Sequence, residues 1–119
     1  EEVMANVLST SRYKNVKLDL TTTNATTLYT CPSLMNAVIE SMIASEDSNN
    51  ADTITVTLTN GSDVYNIYKD KAVGAKGTVE LFTKDLILVS GDIIKVTAGT
   101  ANRVHVIASI IEIPKATTA

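Results

Sequence analysis

The sequence predicts an all-β protein: an antiparallel β-sandwich or jelly roll of eight or nine strands, with an N-terminal arm. Three observations carry this expectation. Apolar and polar side chains alternate in nearly every interior segment, the period of a half-buried strand. The alternating runs are short, and turn-forming residues separate them at regular intervals. No interior stretch sustains the three-to-four-residue apolar spacing of a helix.

Each element can be justified in turn. Residues 1–13 lack a strand period and read as an arm or short helix. Val16, Leu18 and Leu20 then point one way, Lys17 and Asp19 the other. "TTLYTC", from Thr26 to Cys31, follows the turn-former Asn24 and is stopped by Pro32. In "AVIESMIAS" Ile39, Ser41 and Ile43 share one face, while Val38, Met42 and Ala44 make the other apolar too. Such a strand is expected to be central in a sandwich or covered by a partner.

"DTITVTLTN", from Asp52 to Asn60, alternates most cleanly, with Thr53, Thr55, Thr57 and Thr59 opposite Ile54, Val56 and Leu58. Threonine is β-branched, which favours extended backbone, and its hydroxyl keeps an outer face hydrated. Asn60-Gly61 is expected to close a hairpin onto "DVYNIYK", since this pair supplies positive φ angles. After a connection over Lys69–Gly77 come "TVELF", "LILV", "DIIKVTA" and "RVHVIASIIEI". Val89 to Asp92 reads as a tight turn relieved by Gly91. In the last strand Val104, Val106, Ala108 and Ile110 keep one parity and Ile111 and Ile113 take the other, which predicts a bulge or sheet switch near Ser109. The expected organisation is an arm over 1–13, a β-sandwich domain over 14–113, and a flexible polar tail over 114–119.

A length of 119 residues suits one domain with a buried core, and 45% hydrophobic against 19% charged residues is a globular composition. The net charge is -3 and the ten Lys and Arg are scattered singly, so no nucleic-acid partner is expected. No apolar run approaches the roughly 18–20 residues of a membrane-spanning helix, so no membrane association is expected. The chain opens with two acids, where a secretory leader has a basic region. The single cysteine, Cys31, excludes an internal disulfide.

Candidate chemistry is sparse. His105, the one histidine, lacks a second His or a Cys cluster and reads as a structural or surface residue. Most acids (Asp47, Asp52, Asp63, Asp70, Asp85, Asp92) fall at strand ends and turns, where solvated loop carboxylates are ordinary. "SEDSNNAD" groups the oxygen donors of Asp47, Asn49 and Asp52, but without EF-hand spacing it reads as a turn rather than a calcium loop. With no Trp and one Phe, the chain offers few rings for stacking sugars. These readings give no enzyme, no catalytic residue, no cofactor and no metal.

"LYTCP", "SEDSNNADTITVTL", "DVYNIYKDKAV", "TVELF" and "VSGDIIKVTAGTANRVHVIAS" together resemble small β-sandwich virion proteins of tailed bacteriophages, across roughly residues 14–113. The likeness is to head decoration (cement) proteins and to tail or head-fibre components, notably of marine podovirus-like phages. It implies a non-enzymatic structural role, a symmetric homo-oligomer (trimer or dimer), and attachment to the major capsid protein or other virion proteins. The virion, assembled in the host cytoplasm, is the implied location. Head decoration is the expected role; the alternatives are a tail, neck or head-fibre component, or a host-surface or glycan-binding module. Tyr65 and Tyr68 lie on opposite faces of their strand, so one of the two rings is expected outward. Expected contact residues are Val3, Met4, Val7 and Leu8 on the arm, Val38 and Met42 on the two-faced strand, and Tyr68.

Overall fold

The computed structural model describes residues 11–115, which form nine strands and no helix. They are β1 (Arg12–Asp19), β2 (Thr26–Thr30), β3 (Met35–Glu46), β4 (Asp52–Asn60), β5 (Asp63–Val73), β6 (Thr78–Glu80), β7 (Leu86–Leu88), β8 (Ile93–Ala98) and β9 (Val104–Pro114). Two antiparallel sheets pack face to face. One has the order β1-β9-β3, with β6 and β7 sharing the far edge of β3, and the other has the order β2-β8-β4-β5.

The pairings are nested: β4 with β5, β3 with β6 and β7, β2 with β8, β1 with β9. The chain is thus one long hairpin, rolled until β9 also pairs β3 and β8 also pairs β4. This wrapping is the jelly-roll form of the sandwich. At the hairpin tip Asn60 pairs with Asp63, leaving Gly61 and Ser62 as the two-residue loop. Only Gly61 of these has a positive φ, 61°. The loop is therefore of the glycine-first kind, whereas an Asn-Gly loop would need two positive angles.

The inner faces close over a continuous core that includes Leu20, Ile39, Met42, Ile54, Val56, Leu88, Ile94 and Ile110. Burying side chains of this size contributes about 1.5–3 kcal/mol each. In β1, β4 and the first part of β9 the apolar parity read from the sequence is the parity that faces this core.

The central pair β3–β9 departs from the sequence expectation. The pairing register shifts between Ile39 and Ser41, so Glu40 is an extra residue on β3. Ala37 and Ile39 face inward before it, and Met42, Ala44 and Glu46 after it. Met42 is 1% exposed and belongs to the core. Its assignment as a contact residue is corrected: the bulge turns it inward, and with it Ile43 outward. β9 itself carries no bulge against β3. Its inward parity runs unbroken from Val104 through Ile110 to Glu112, so the break expected near Ser109 sits opposite, at Glu40.

Tyr68 is the second correction. Register shifts at both ends of Val56 place Tyr68 opposite that core residue, with Asn66 opposite Thr57. Tyr68 is half-buried and meets Phe82 edge-on, with ring centroids 5.7 Å apart, and Tyr65, 57% exposed, is the outward ring of the two. β5 also extends to Val73, through part of the segment expected to be a connection, and β1 begins at Arg12, inside the segment expected to be arm.

Candidate association surface

The two outer faces of the sandwich differ in chemistry. On the four-stranded sheet, Thr53, Thr55, Thr57 and Thr59 of β4 lie beside Ile93, Lys95 and Thr97 of β8 and beside Val64 and Asn66 of β5. This face is largely polar, and the threonines are half-buried among their neighbours.

The outer face of the five-stranded sheet carries an apolar row. Tyr13 pairs with Ile111, Ile111 with Val38, and Val38 with Ile87, so four strands each place one side chain in line. At an interstrand spacing of about 4.8 Å the row is about 14 Å long. Its ends are open to solvent, with Tyr13 83% and Ile87 67% exposed. Val89 continues beyond Ile87, and Leu34, whose carbonyl accepts the Lys115 N–H at 2.9 Å, lies at the adjoining strand ends. Three of the seven exposed large apolar side chains among the described residues, Tyr13, Ile87 and Val89, therefore belong to this row or its continuation. A contiguous apolar row on an outer face is the kind of feature a contact surface uses, whereas scattered exposed apolar residues are ordinary.

Farther along the same face the chemistry turns ionic. Lys17, Ile107, Ile43 and Glu80 form a second row, and Asp19, His105, Ser45 and Thr78 a third. His105 Nε2 lies 3.2 Å from Asp19 Oδ1. Two shallow depressions lie on this face. One of about 320 Å³ sits where the Glu40 bulge parts the surface, beside Tyr13, Asn15 and Ser109. The other, of about 370 Å³, lies between Lys17 and Ile107.

The four buried acids among the described residues all hold structure. Glu46 accepts hydrogen bonds from the Ser48 N–H at 2.9 Å, the Lys76 N–H at 3.0 Å and the Ser48 hydroxyl, tying two loops together. Burial alone would raise its pKa, but these hydrogen bonds outweigh burial and hold the carboxyl below its ordinary range. Asp52 accepts from the Thr53 and Thr100 N–H groups at 2.8 and 3.1 Å, fixing the β8–β9 turn. Asp92 accepts from the Asn60 side-chain amide at 2.5 Å and the Val89 N–H at 2.9 Å. Both oxygens of Asp52, one of the donors grouped as a possible calcium loop, are thereby engaged with backbone.

Glu112 closes one end of the sandwich. It accepts from the Tyr29 hydroxyl at 2.5 Å and pairs with Arg12 Nε at 3.3 Å and Lys14 Nζ at 3.7 Å. Lys14 Nζ also lies 5.6 Å from the centroid of the Tyr29 ring. Burial, the hydrogen bond to Glu112 and that carboxylate's charge push the Tyr29 hydroxyl far above its ordinary value. Cys31, 1% exposed, has Sγ 3.5 Å from the Met35 carbonyl oxygen, and its thiol is raised by burial first and by the charges of Asp92 and Glu112 next.

Of the contact residues expected from the sequence, Val38 lies on the apolar row, while Met42 and Tyr68 point into the sandwich. Val3, Met4, Val7 and Leu8 lie outside the described residues. Tyr13, Ile87 and Ile111 were missed. Their alignment depends on register across four strands, and only their outward parity could have hinted at it.

No protein-family model matches the chain, and no curated protein sequence matches it either. Among solved structures the chain is similar to a protein described under the heading of Bacillus endospore appendages, a novel family of disulfide-linked pili. The TM-score is 0.51 at 11% sequence identity, over 89% of each chain. At that identity the likeness is one of fold: both chains are β-sandwiches.

Proposed function

We propose that this chain is a non-enzymatic structural subunit that acts by associating with copies of itself and with the proteins of a larger particle. The observation that carries this reading is the apolar row on the outer face of the five-stranded sheet, set on a sandwich whose other broad face is largely polar. The buried carboxylates support it, because each is engaged in holding a loop or closing the sandwich. The resemblance of the sequence to phage virion proteins supplies the more specific form: a decoration subunit on a phage head, attached to the capsid protein.

A second form, a repeating filament subunit, is favoured by the fold likeness to an endospore-appendage protein. That protein's family is described as disulfide-linked. In this sequence the single thiol, Cys31, is buried, and one sulfur per subunit joins two chains at most. Association through these 119 residues would therefore rest on non-covalent surfaces.

Light scattering on the purified chain across a concentration series tests self-association. A mass above that of one chain, held on dilution, supports it; a single-chain mass at every concentration overturns it. Co-sedimentation with undecorated phage heads tests the specific form. A chain lacking residues 1–10 is the partner experiment, since truncation beyond that point would remove Arg12 and its ion pair with Glu112.

A further inference from the structure

The outer face of the five-stranded sheet carries complementary features at its two edges. In the apolar row, Tyr13 stands on the β1 edge and Ile87 on the β7 edge, with Ile111 and Val38 between them. In the ionic row, Lys17 stands on the β1 edge and Glu80 on the β6 edge, with Ile107 and Ile43 between them. β6 and β7 occupy the same edge of β3, so each row has unlike ends at the same two borders of the sheet. Lys17 and Glu80 are both exposed, and Lys17 Nζ has an intrachain contact with Asn15 Oδ1 at 3.0 Å.

We infer that this face is an isologous interface with a second copy of the chain, its two-fold axis running close to the strand direction. The inference rests on the self-association reading above. Such an axis preserves height along the strands and reverses the order across them. The apolar row of one copy then lies on the apolar row of the other, Tyr13 over Ile87 and Ile111 over Val38, and each contact occurs twice. The same operation sets Lys17 over Glu80 of the second copy, again twice, and Ile107 over Ile43. Axes in other directions lose one of these matches. An axis across the strands inverts height, so it can lay the apolar row on itself only by moving Lys17 away from Glu80, while side-by-side association leaves the apolar row in water. Sheets packed in this way lie about 10 Å apart with their strands within about 30° of each other.

The experiment is sedimentation velocity on the full chain and four variants: Ile87→Asp, Lys17→Glu, Glu80→Lys and the Lys17→Glu/Glu80→Lys double variant. All three positions are exposed, and circular dichroism checks that each variant folds. The expected results are a dimer for the unaltered chain and about tenfold weaker association for each single charge reversal, which puts like charges together twice per dimer. The double variant should return to within about threefold of the original, because the pair is restored with its signs exchanged. Ile87→Asp should abolish the dimer at concentrations where the unaltered chain is fully paired. A larger oligomer that Ile87→Asp leaves intact, or a double variant as weak as the singles, overturns this interface and leaves self-association standing. A monomer at all concentrations overturns both readings. If deletion of residues 1–10 abolishes association while the charge reversals are silent, that segment covers the face and the sheet-to-sheet pairing is wrong.

Discussion

The Tyr29 hydroxyl and the Glu112 carboxylate, on strands from opposite sheets, are joined by a 2.5 Å hydrogen bond across the end of the sandwich. Glu112 is almost wholly buried, and its remaining partners, Arg12 and Lys14, are substantially exposed. The tyrosine is therefore the one enclosed donor. Tyr29→Phe keeps the ring and removes the hydroxyl, leaving an acceptor short of a partner. The expected loss is about 1–3 kcal/mol of folding stability, measured by urea denaturation. An unchanged midpoint would mean that water reaches Glu112.

Alkaline pH should weaken the fold through two neutral groups. Cys31 and Tyr29 are both raised above their ordinary values of 9.0 and 10.0. Above 9.0 the unfolded chain releases the thiol proton while the folded chain keeps it, and the same holds for the phenol above 10.0. The unfolded state then binds fewer protons, so stability is intact below 9.0 and falls as pH rises past it. Denaturation midpoints across the alkaline range should show this limb, with Cys31→Ala flattening its first part and Tyr29→Phe its second.

Glu46 sets an acid limb of opposite sign. Its folded pKa is depressed below the ordinary 4.5 by the Ser48 and Lys76 hydrogen bonds, against the effect of burial. Its contribution is present above 4.5 and lost as pH falls through the folded value. Glu46→Gln should flatten that loss. Amide exchange at Ser48 and Lys76 should accelerate in the variant, because both N–H groups donate to this carboxylate.

Met42 and Val38 separate core from surface on one strand. Met42→Ala should cost about 2–5 kcal/mol of stability by opening a cavity. Val38→Ala, on the outer row, should cost under about 1 kcal/mol in the monomer and appear instead in the association constant. Paired thermal melts and sedimentation runs distinguish the two, and the reverse ranking would place the β3 bulge elsewhere.

Much of this architecture was legible in the sequence, and the failures share one cause. Alternation located all nine strands and gave the correct inward faces for β1, β4 and the first part of β9. A bulge, however, is an extra residue relative to a partner. The mixed parity of β3 and the parity change expected in β9 therefore looked alike until the two strands were laid side by side. Glu112 was not singled out in the sequence, and the break expected near Ser109 would have put Ile111 on the core face. Glu112 instead keeps the inward parity of β9, where Tyr29, Arg12 and Lys14 converge on it from other strands. The apolar row was invisible for the same reason: Tyr13, Val38, Ile87 and Ile111 become neighbours only through long-range pairing. Val38 alone was singled out, because its own strand looked apolar on both sides.

The position of β9 also bears on how the protein is made. It lies between β1 and β3, yet the ribosome synthesises it after every strand it joins. Until Val104–Pro114 emerges, β1 has no ladder partner and β3 has only the short β6 and β7. The nascent chain carries open strand edges until β9 emerges, so the five-stranded layer closes only once the ninth strand is available. Crowding of polysomes on one message would bring such edges from neighbouring nascent chains together, making the interval before β9 appears the period of greatest exposure to mispairing.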